Sequence, residues 1–211
     1  MQIKIFEFNP VEENTYIIYD ETKEAAIIDC GAYYPREKEE LKAFLSDNSL
    51  ILKHLLNTHL HLDHSFGNKF IYDTYNLSPE FHRLETQMPD LQKQAAAFGL
   101  KVDDGNTGTP KYLEEGDVVK FGNIVLEVIV ISGHSPASIC FYSKADNILF
   151  SGDVLFKQGI GRSDLWGGNE LSLTTGIKKK LLTLPEETIV YSGHGPSTTI
   201  KDEKLYNFEL R

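Results

Sequence analysis

Hydrophobic positions along the chain follow two periods, and this predicts a protein built from both strands and helices. Short apolar runs between turns rich in Asn, Glu, Asp and Lys predict strands. The predicted strands cover residues 2–7, 14–19, 25–29, 50–56, 118–121, 124–131, 139–142, 148–150 and 188–192. Apolar residues at helical spacing predict helices. The predicted helices cover residues 35–46, 84–98 with an interruption at Pro89, 170–182 and 202–209, and another begins near Ser65.

Two similar segments suggest that the chain has two related halves. "AAIIDCG" (25–31) and "NILFSGD" (147–153) each combine an apolar strand, a small residue and an acid. We therefore expect an α/β protein in which each half forms a sheet with outer helices. The length of 211 residues suits one domain over residues 1–211.

Composition excludes several classes of partner. The formal net charge of -10 argues against nucleic acid, because phosphate binding requires a basic face. No run of ~18 apolar residues is present, so no membrane span is expected. The first residues do not resemble a signal peptide. Two cysteines, Cys30 and Cys140, do not make a disulfide framework. These features predict a cytoplasmic protein with free thiols.

The segment "THLHLDH" (58–64) places three of the seven histidines and one aspartate within six residues. Each imidazole brings polar nitrogens that need partners, and a metal ion explains such a cluster better than a core or a surface loop does. In a straight strand, His59, His61 and Asp63 would share a face and His64 would point away. We therefore expect the chain to turn at Asp63, where a strand ends and a helix begins.

Three later segments repeat one pattern, in which an apolar strand is followed by small residues and one potential ligand. "SGHSPAS" presents His134, "SGDVLF" presents Asp153 and "SGHGPST" presents His194. A glycine beside a ligand lets the backbone approach closely. One zinc ion takes about four ligands, so seven side chains suit two ions. We predict one ion at His59, His61 and His134, the other at Asp63, His64 and His194, and Asp153 bridging them.

A centre with two divalent ions predicts a particular kind of reaction. They would hold a bridging hydroxide at neutral pH, attract an anionic substrate and stabilise a developing oxyanion. Zinc suits nitrogen and carboxylate ligands, and iron or manganese are alternatives. The expected chemistry is hydrolysis of a small-molecule substrate, with Asp63 orienting the hydroxide.

The ligand order resembles that of the metallo-β-lactamase superfamily, HxHxDH followed by His, Asp and His. The resemblance covers the whole chain and implies an αββα sandwich of two mixed sheets flanked by helices, with the site at one edge between the sheets. "GHSPAS" is similar to the GHTPGS of glyoxalase II. "GDVLFKQGIGRSDLWGG" is similar to a run in small glyoxalase II-like hydrolases. Those enzymes cleave thioesters such as S-D-lactoylglutathione.

The same resemblance leaves alternatives open. Glyoxalase II has a C-terminal helical region that helps to hold glutathione, whereas here only residues 195–211 follow the last histidine. We expect hydrolysis of a small acyl thioester similar to S-D-lactoylglutathione, with weak affinity for glutathione thioesters. Another thioester or a lactone is the alternative substrate. A persulfide dioxygenase with a single iron shares the ligands. The acidic composition fits ribonuclease Z poorly, and His61 argues against a flavodiiron protein.

Several other residues are candidates for the surroundings of the site. Asp29 is equally suited to orient a ligand imidazole or to form a turn before Gly31. Phe98, Trp166 and Arg162 are candidate substrate contacts, and residues 84–112 are a candidate lid. Arg162 could instead form a buried ion pair with Asp164 that holds its loop, and we favour that structural role.

Overall fold

The structure is a computed structural model that describes residues 1–102 and 105–211. In these residues the strands are β1 (Gln2–Phe8), β2 (Glu13–Tyr19), β3 (Glu24–Ile28), β4 (Ile51–Leu56), β5 (Pro79–Phe81), β6 (Lys111–Tyr112), β7 (Val118–Phe121), β8 (Ile124–Ile131), β9 (Ser138–Ser143), β10 (Ile148–Gly152), β11 (Leu155–Phe156), β12 (Gly159–Ile160), β13 (Ile189–Ser192) and β14 (Thr198–Thr199). The α-helices are α1 (Pro35–Asp47), α2 (Leu62–Ser65), α3 (Asn68–Tyr75), α4 (Leu91–Ala97), α5 (Glu170–Gly176) and α6 (Ile200–Tyr206). Short 3₁₀ helices span Arg83–Gln87 and Phe208–Leu210, and a π-helical turn spans Ile177–Leu181.

Two mixed six-stranded sheets and one hairpin contain these strands. The first sheet has the order β1-β2-β3-β4-β5-β6, with antiparallel pairing from β1 to β3 and parallel pairing from β3 to β6. The second has the order β14-β13-β10-β9-β8-β7, in which only β10 and β13 pair in parallel. Strands β11 and β12 form the hairpin. Each sheet comes from one half of the chain.

Three hydrophobic clusters hold the layers together. The central cluster lies between the sheets and joins Ile18 and Leu56 of the first to Leu126 and Phe141 of the second. A second cluster packs α1 and α3 on the first sheet, and a third packs α5 and α6 on the other sheet. Burial of apolar surface drives this packing. The result is the predicted αββα sandwich of two mixed sheets flanked by helices.

Some element boundaries differ from the sequence predictions. The helix expected near Ser65 begins earlier, at Leu62, and α3 begins after a break at Gly67, whose N–H donates to the Cys30 carbonyl at 2.7 Å. The helix predicted over 170–182 is α-helical only to Gly176 and continues as the π turn. Of the loop predicted at 103–109, residues 103–104 lie outside the described residues, and 105–109 contain neither helix nor strand.

Two further properties of the chain are the state of its cysteines and the length and polarity of its helices. Cys30 and Cys140 are buried, unpaired thiols in different hydrophobic clusters. Within residues 1–102 and 105–211, every helix is too short or too polar to cross a bilayer.

Candidate metal centre

The candidate ligands lie where strands end at one edge of the two sheets. Strand β4 ends at Leu56, and the histidine cluster follows through a short connection into α2. His134 lies between β8 and β9, Asp153 follows β10 directly, and His194 follows β13. The chain turns at the cluster, as predicted, because His61 has extended backbone (ψ 150°) and α2 begins at the next residue.

Three histidines form the first group of converging side chains. The Nε2 atoms of His59 and His134 lie 3.1 Å apart. The ring centroid of His61 lies 4.6 Å from that of His59 and 4.6 Å from that of His134. One ring nitrogen from each residue falls within 4.8 Å of the others, so these three side chains could hold one ion.

Asp63, His64 and His194 form the second group. His194 Nε2 lies 3.2 Å from Asp63 Oδ2, and His64 Nε2 lies 3.7 Å from the same oxygen. The three ligand atoms lie within 4.8 Å of one another. This group is more accessible than the first, since His194 and Asp63 are partly exposed.

Asp153 lies between the two groups. Its Oδ1 is 3.2 Å from His64 Nε2, and its Oδ2 is 3.7 Å from both His134 Nε2 and His194 Nε2. One carboxylate therefore contacts members of both groups. Gly193 allows this position, because a Cβ there would overlap Asp153 Oδ1.

Asp29 organises the buried side of the centre. Its carboxylate accepts hydrogen bonds from the Thr58 backbone N–H (2.7 Å), the Thr58 hydroxyl (2.6 Å) and His64 Nδ1 (2.9 Å). Because the Thr58 hydroxyl proton goes to Asp29, its oxygen is free to accept from His59 Nδ1 at 2.9 Å. Asp29 also has a φ of 50°, so one residue provides both the turn and the contact to a clustered imidazole.

Two more of the five clustered histidines are oriented by backbone carbonyls. His134 Nδ1 donates to the Arg162 carbonyl at 2.8 Å, and His194 Nδ1 donates to the Val11 carbonyl at 3.0 Å. A ring that donates from Nδ1 presents the lone pair of Nε2 when it is neutral. With His59 and His64, this fixes four imidazoles with Nε2 directed inward.

Burial and mutual proximity keep the first group neutral. Burial lowers the pKa of His59 well below its usual range and that of His61 to about 3, and it lowers the pKa of His134. Neighbouring histidines add to the effect on His59 and His61. A neutral imidazole is the form that binds a metal ion.

The second group has the opposite electrostatics. Burial alone would lower the pKa of His64, but Asp153, Asp63 and Asp29 raise it well above its usual range. Burial alone would raise the pKa of Asp63 and Asp153, but His64 lowers both. The carboxylates are therefore ionised and protonated imidazoles balance their charge, and a divalent cation could replace the imidazole protons.

Unpaired buried atoms provide the test of whether a metal fits. Among the described residues, the buried side-chain atoms without a hydrogen-bond partner include His61 Nε2, His64 Nε2 and Asp153 Oδ1. Buried polar atoms are normally paired, and leaving one unpaired costs about 1–3 kcal/mol. His61 and His64 belong to the two ligand groups and Asp153 lies between them, so cations at this centre would satisfy all three atoms.

Glu85 ties the two histidine loops together, although nothing in the sequence distinguishes it from an exposed acid of a short helix. It is 1% exposed. Its Oε2 accepts from the Leu60 N–H at 3.0 Å, between two clustered histidines. Its Oε1 accepts from the Ser135 hydroxyl at 2.7 Å and the Ala137 N–H at 2.8 Å, next to His134. One carboxylate thus fixes both loops that present the three-histidine group.

Replacing Glu85 with glutamine is expected to weaken metal binding at the three-histidine group. A glutamine can place its oxygen on one loop only, so its NH₂ group would face a buried N–H or hydroxyl donor of the other loop. Such an unsatisfied donor costs about 1–3 kcal/mol of folding stability. Metal affinity and thermal unfolding of the metal-free protein measure the effect. Glu187→Gln, at an exposed position, is the control. Unchanged affinity and unfolding temperature would contradict this role.

A cavity of about 440 Å³ opens above the centre, and the candidate substrate contacts line it. His61, Asp63, His134, Asp153 and His194 reach its floor. Phe98, Trp166 and Arg162 belong to its wall.

Arg162 does pair with Asp164, through two hydrogen bonds of 2.7 and 2.9 Å. The prediction that this pair is buried is wrong, because the side chains are 58% and 68% exposed. The pair lies within one loop, where no other element covers it.

Comparison with known proteins gives one consistent family. The model of the family described as Metallo-beta-lactamase superfamily matches residues 9–194. The hydroxyacylglutathione hydrolase GloC of Haemophilus influenzae is 34% identical over 212 residues, covering 98% of this chain and 97% of that protein.

Two solved structures share the fold along almost the whole chain. The crystal structure of BLEG-1 B3 metallo-beta-lactamase has a TM-score of 0.88 and 36% identity, and the match covers 99% of each chain. The crystal structure of TTHA1623 in a di-iron-bound form has a TM-score of 0.87 and 32% identity, covering 97% of this chain and 98% of that one.

Proposed function

This chain is a metallo-hydrolase of the metallo-beta-lactamase superfamily, and from that premise we propose that it cleaves acyl thioesters, of which S-D-lactoylglutathione is the reference compound. A relative named hydroxyacylglutathione hydrolase supports this choice, at 34% identity. We further propose a cytoplasmic location, which the two unpaired thiols support because such thiols persist in a reducing compartment.

We propose that two divalent ions occupy the centre, with zinc as the first candidate and iron or manganese as alternatives. Their ligands would be His59, His61 and His134 for one ion, Asp63, His64 and His194 for the other, and Asp153 for both. The unpaired buried atoms support this set. TTHA1623, a structural relative, is known in a di-iron-bound form. When bound, such ions lower the pKa of water and polarise a carbonyl group.

The chain's own residues would prepare the attack on the carbonyl. Asp63 lines the cavity, and its pKa is lowered by His64 and His194 against the effect of burial. Its carboxylate can therefore accept a hydrogen bond from the attacking water and orient it. Orientation lowers the activation barrier of the chemical step, because the water and the substrate have already lost their translational and rotational entropy on binding. Asp29 and Glu85 hold the imidazoles in place beneath this position.

The observation that carries the thioester proposal is the set of titratable groups in the cavity. Among the described lining residues, those groups are the candidate ligands and Arg162. No separate acid is available among them to protonate a leaving group. An amide nitrogen leaves poorly without a proton, whereas a thiolate leaves unaided. In the reaction the water oxygen bonds to the acyl carbon, the C–S bond breaks, and the products are an acid and a thiol.

The proposal predicts two metal ions per chain and oxygen-independent hydrolysis. Purified protein would be analysed for metal content as isolated. After loading with zinc it would be assayed without oxygen against S-D-lactoylglutathione, simple acyl thioesters and a lactone. We expect one thiol released per thioester. One iron per chain, oxygen uptake with glutathione persulfide and no hydrolysis of any ester would instead show a persulfide dioxygenase. Cleavage of the lactone alone would show a lactone hydrolase.

A further inference from the structure

The wall of the cavity above the centre is apolar. Besides the candidate ligands, it is lined mainly by side chains from four separate segments, including Leu62, Phe66, Phe98, Leu100, Leu165 and Trp166. Phe66 is buried and supports the wall from below, while Phe98 is 55% exposed at the mouth. Ligand cavities of about 300–1,000 Å³ with apolar walls usually bury an apolar part of the ligand.

The same wall offers little that could bind a carboxylate. Arg162 is the only cationic side chain among the described lining residues, and its Nε–H and one Nη2–H donate to Asp164, whose carboxylate balances its charge. Gln94 donates its amide N–H groups to the carbonyls of Leu60 and Pro89, both at 2.8 Å. Its unpaired atom is the acceptor Oε1, which cannot bind an anion.

We infer that the substrate is an uncharged ester or thioester whose apolar chain fills this cavity beside the scissile carbonyl. This inference rests on the proposed hydrolysis and replaces the anionic substrate expected from the metal charge alone. The carbonyl would sit at the floor, next to Asp63, and the chain would lie against Trp166 and Leu100. Glutathione carries two carboxylates, and among the described lining residues the single cation, Arg162, already has a carboxylate partner.

Chain length is the direct test. Zinc-loaded protein would be assayed with N-acetylcysteamine thioesters of acetyl, butyryl, hexanoyl and octanoyl groups, and with thioacetates of alkanethiols of matched length. Each buried methylene is expected to raise kcat/KM about threefold to fourfold until the cavity is full. The series with the rising trend identifies whether the chain lies on the acyl or the thiol side. A flat response in both series would overturn the inference.

Two variants test the wall itself. Trp166→Ala is expected to flatten the dependence on chain length, whereas Leu171→Ala, at a side chain that is 76% exposed outside the cavity, is expected to leave it unchanged. Asp164→Asn frees Arg162 and is expected to raise kcat/KM for S-hexanoylglutathione up to about fivefold, the scale of an exposed ion pair. It should not change kcat/KM for the uncharged hexanoyl thioester. Wild-type protein that prefers the glutathione ester would contradict the inference.

A binding measurement separates this inference from the proposed reaction. Trp166 is the only tryptophan of the chain, so its fluorescence reports occupation of the cavity. Methyl ketones of increasing length are uncharged and cannot be hydrolysed. Their Kd is expected to fall about threefold to fourfold per methylene. Tight, length-dependent binding without hydrolysis of any ester would reject the proposed function and keep the apolar site. Hydrolysis whose rate does not depend on chain length, together with no binding of the ketones, would keep the proposed function and reject the apolar site.

Discussion

Replacing Asp153 with alanine is expected to remove metal from both ligand groups and to abolish hydrolysis. The reason is that its two oxygens contact His64 on one side and His134 and His194 on the other. Loss of even an outer partner of a ligand costs about 10–100-fold in metal affinity or activity. A loss of at least about a hundredfold is therefore expected here, measured as metal content after dialysis and as kcat.

Asp63→Ala is the informative comparison, because Asp63 belongs to one group only. It is expected to lower occupancy chiefly at the group with His64 and His194, leaving the three-histidine group loaded. Asp47→Ala, an exposed acid at the end of α1, controls for loss of charge. Full metal content and full activity in both site variants would remove Asp153 and Asp63 from the assignment.

Replacing Asp29 with asparagine is expected to give the second large effect. Its carboxylate accepts three hydrogen bonds and orients His64 directly and His59 through Thr58. An asparagine would place an NH₂ group opposite one of these buried donors, which is expected to lower the folding stability by about 1–3 kcal/mol. Metal affinity is expected to fall about 10–100-fold.

The effect of Asp29→Asn can be separated from a general loss of stability. Isothermal metal titration measures affinity at a temperature where the variant is folded, and thermal unfolding of the metal-free protein measures stability. Asp47→Asn is the matched control. If metal affinity were unchanged while stability fell, Asp29 would be a turn residue only, as its left-handed backbone by itself allows.

The residue pattern predicted which side chains meet at the centre, and the resemblance to a known superfamily implied the αββα fold that carries them. The histidine cluster and the three single ligands each follow an apolar strand, and strand ends of neighbouring strands share one edge of a sheet. Local pattern was enough, because each ligand is set by the strand that immediately precedes it. Strands β1 to β4 and β7 to β10 were equally readable as short apolar runs between turns; β7 alternates between exposed and buried positions, whereas β9 is buried throughout.

Tertiary structure decided which contacts reach the centre from far along the chain. Strands β5 and β6 have three and two residues, too few for a periodic signal; β5 pairs in parallel with β4, and β6 pairs in parallel with β5. Glu85 is buried only because loops 25 and 50 residues away supply its donors. The apolar wall is assembled from side chains near residues 10, 62, 98 and 165. No local pattern encodes such a wall, because its free energy comes from contacts that form only once the sheets have packed.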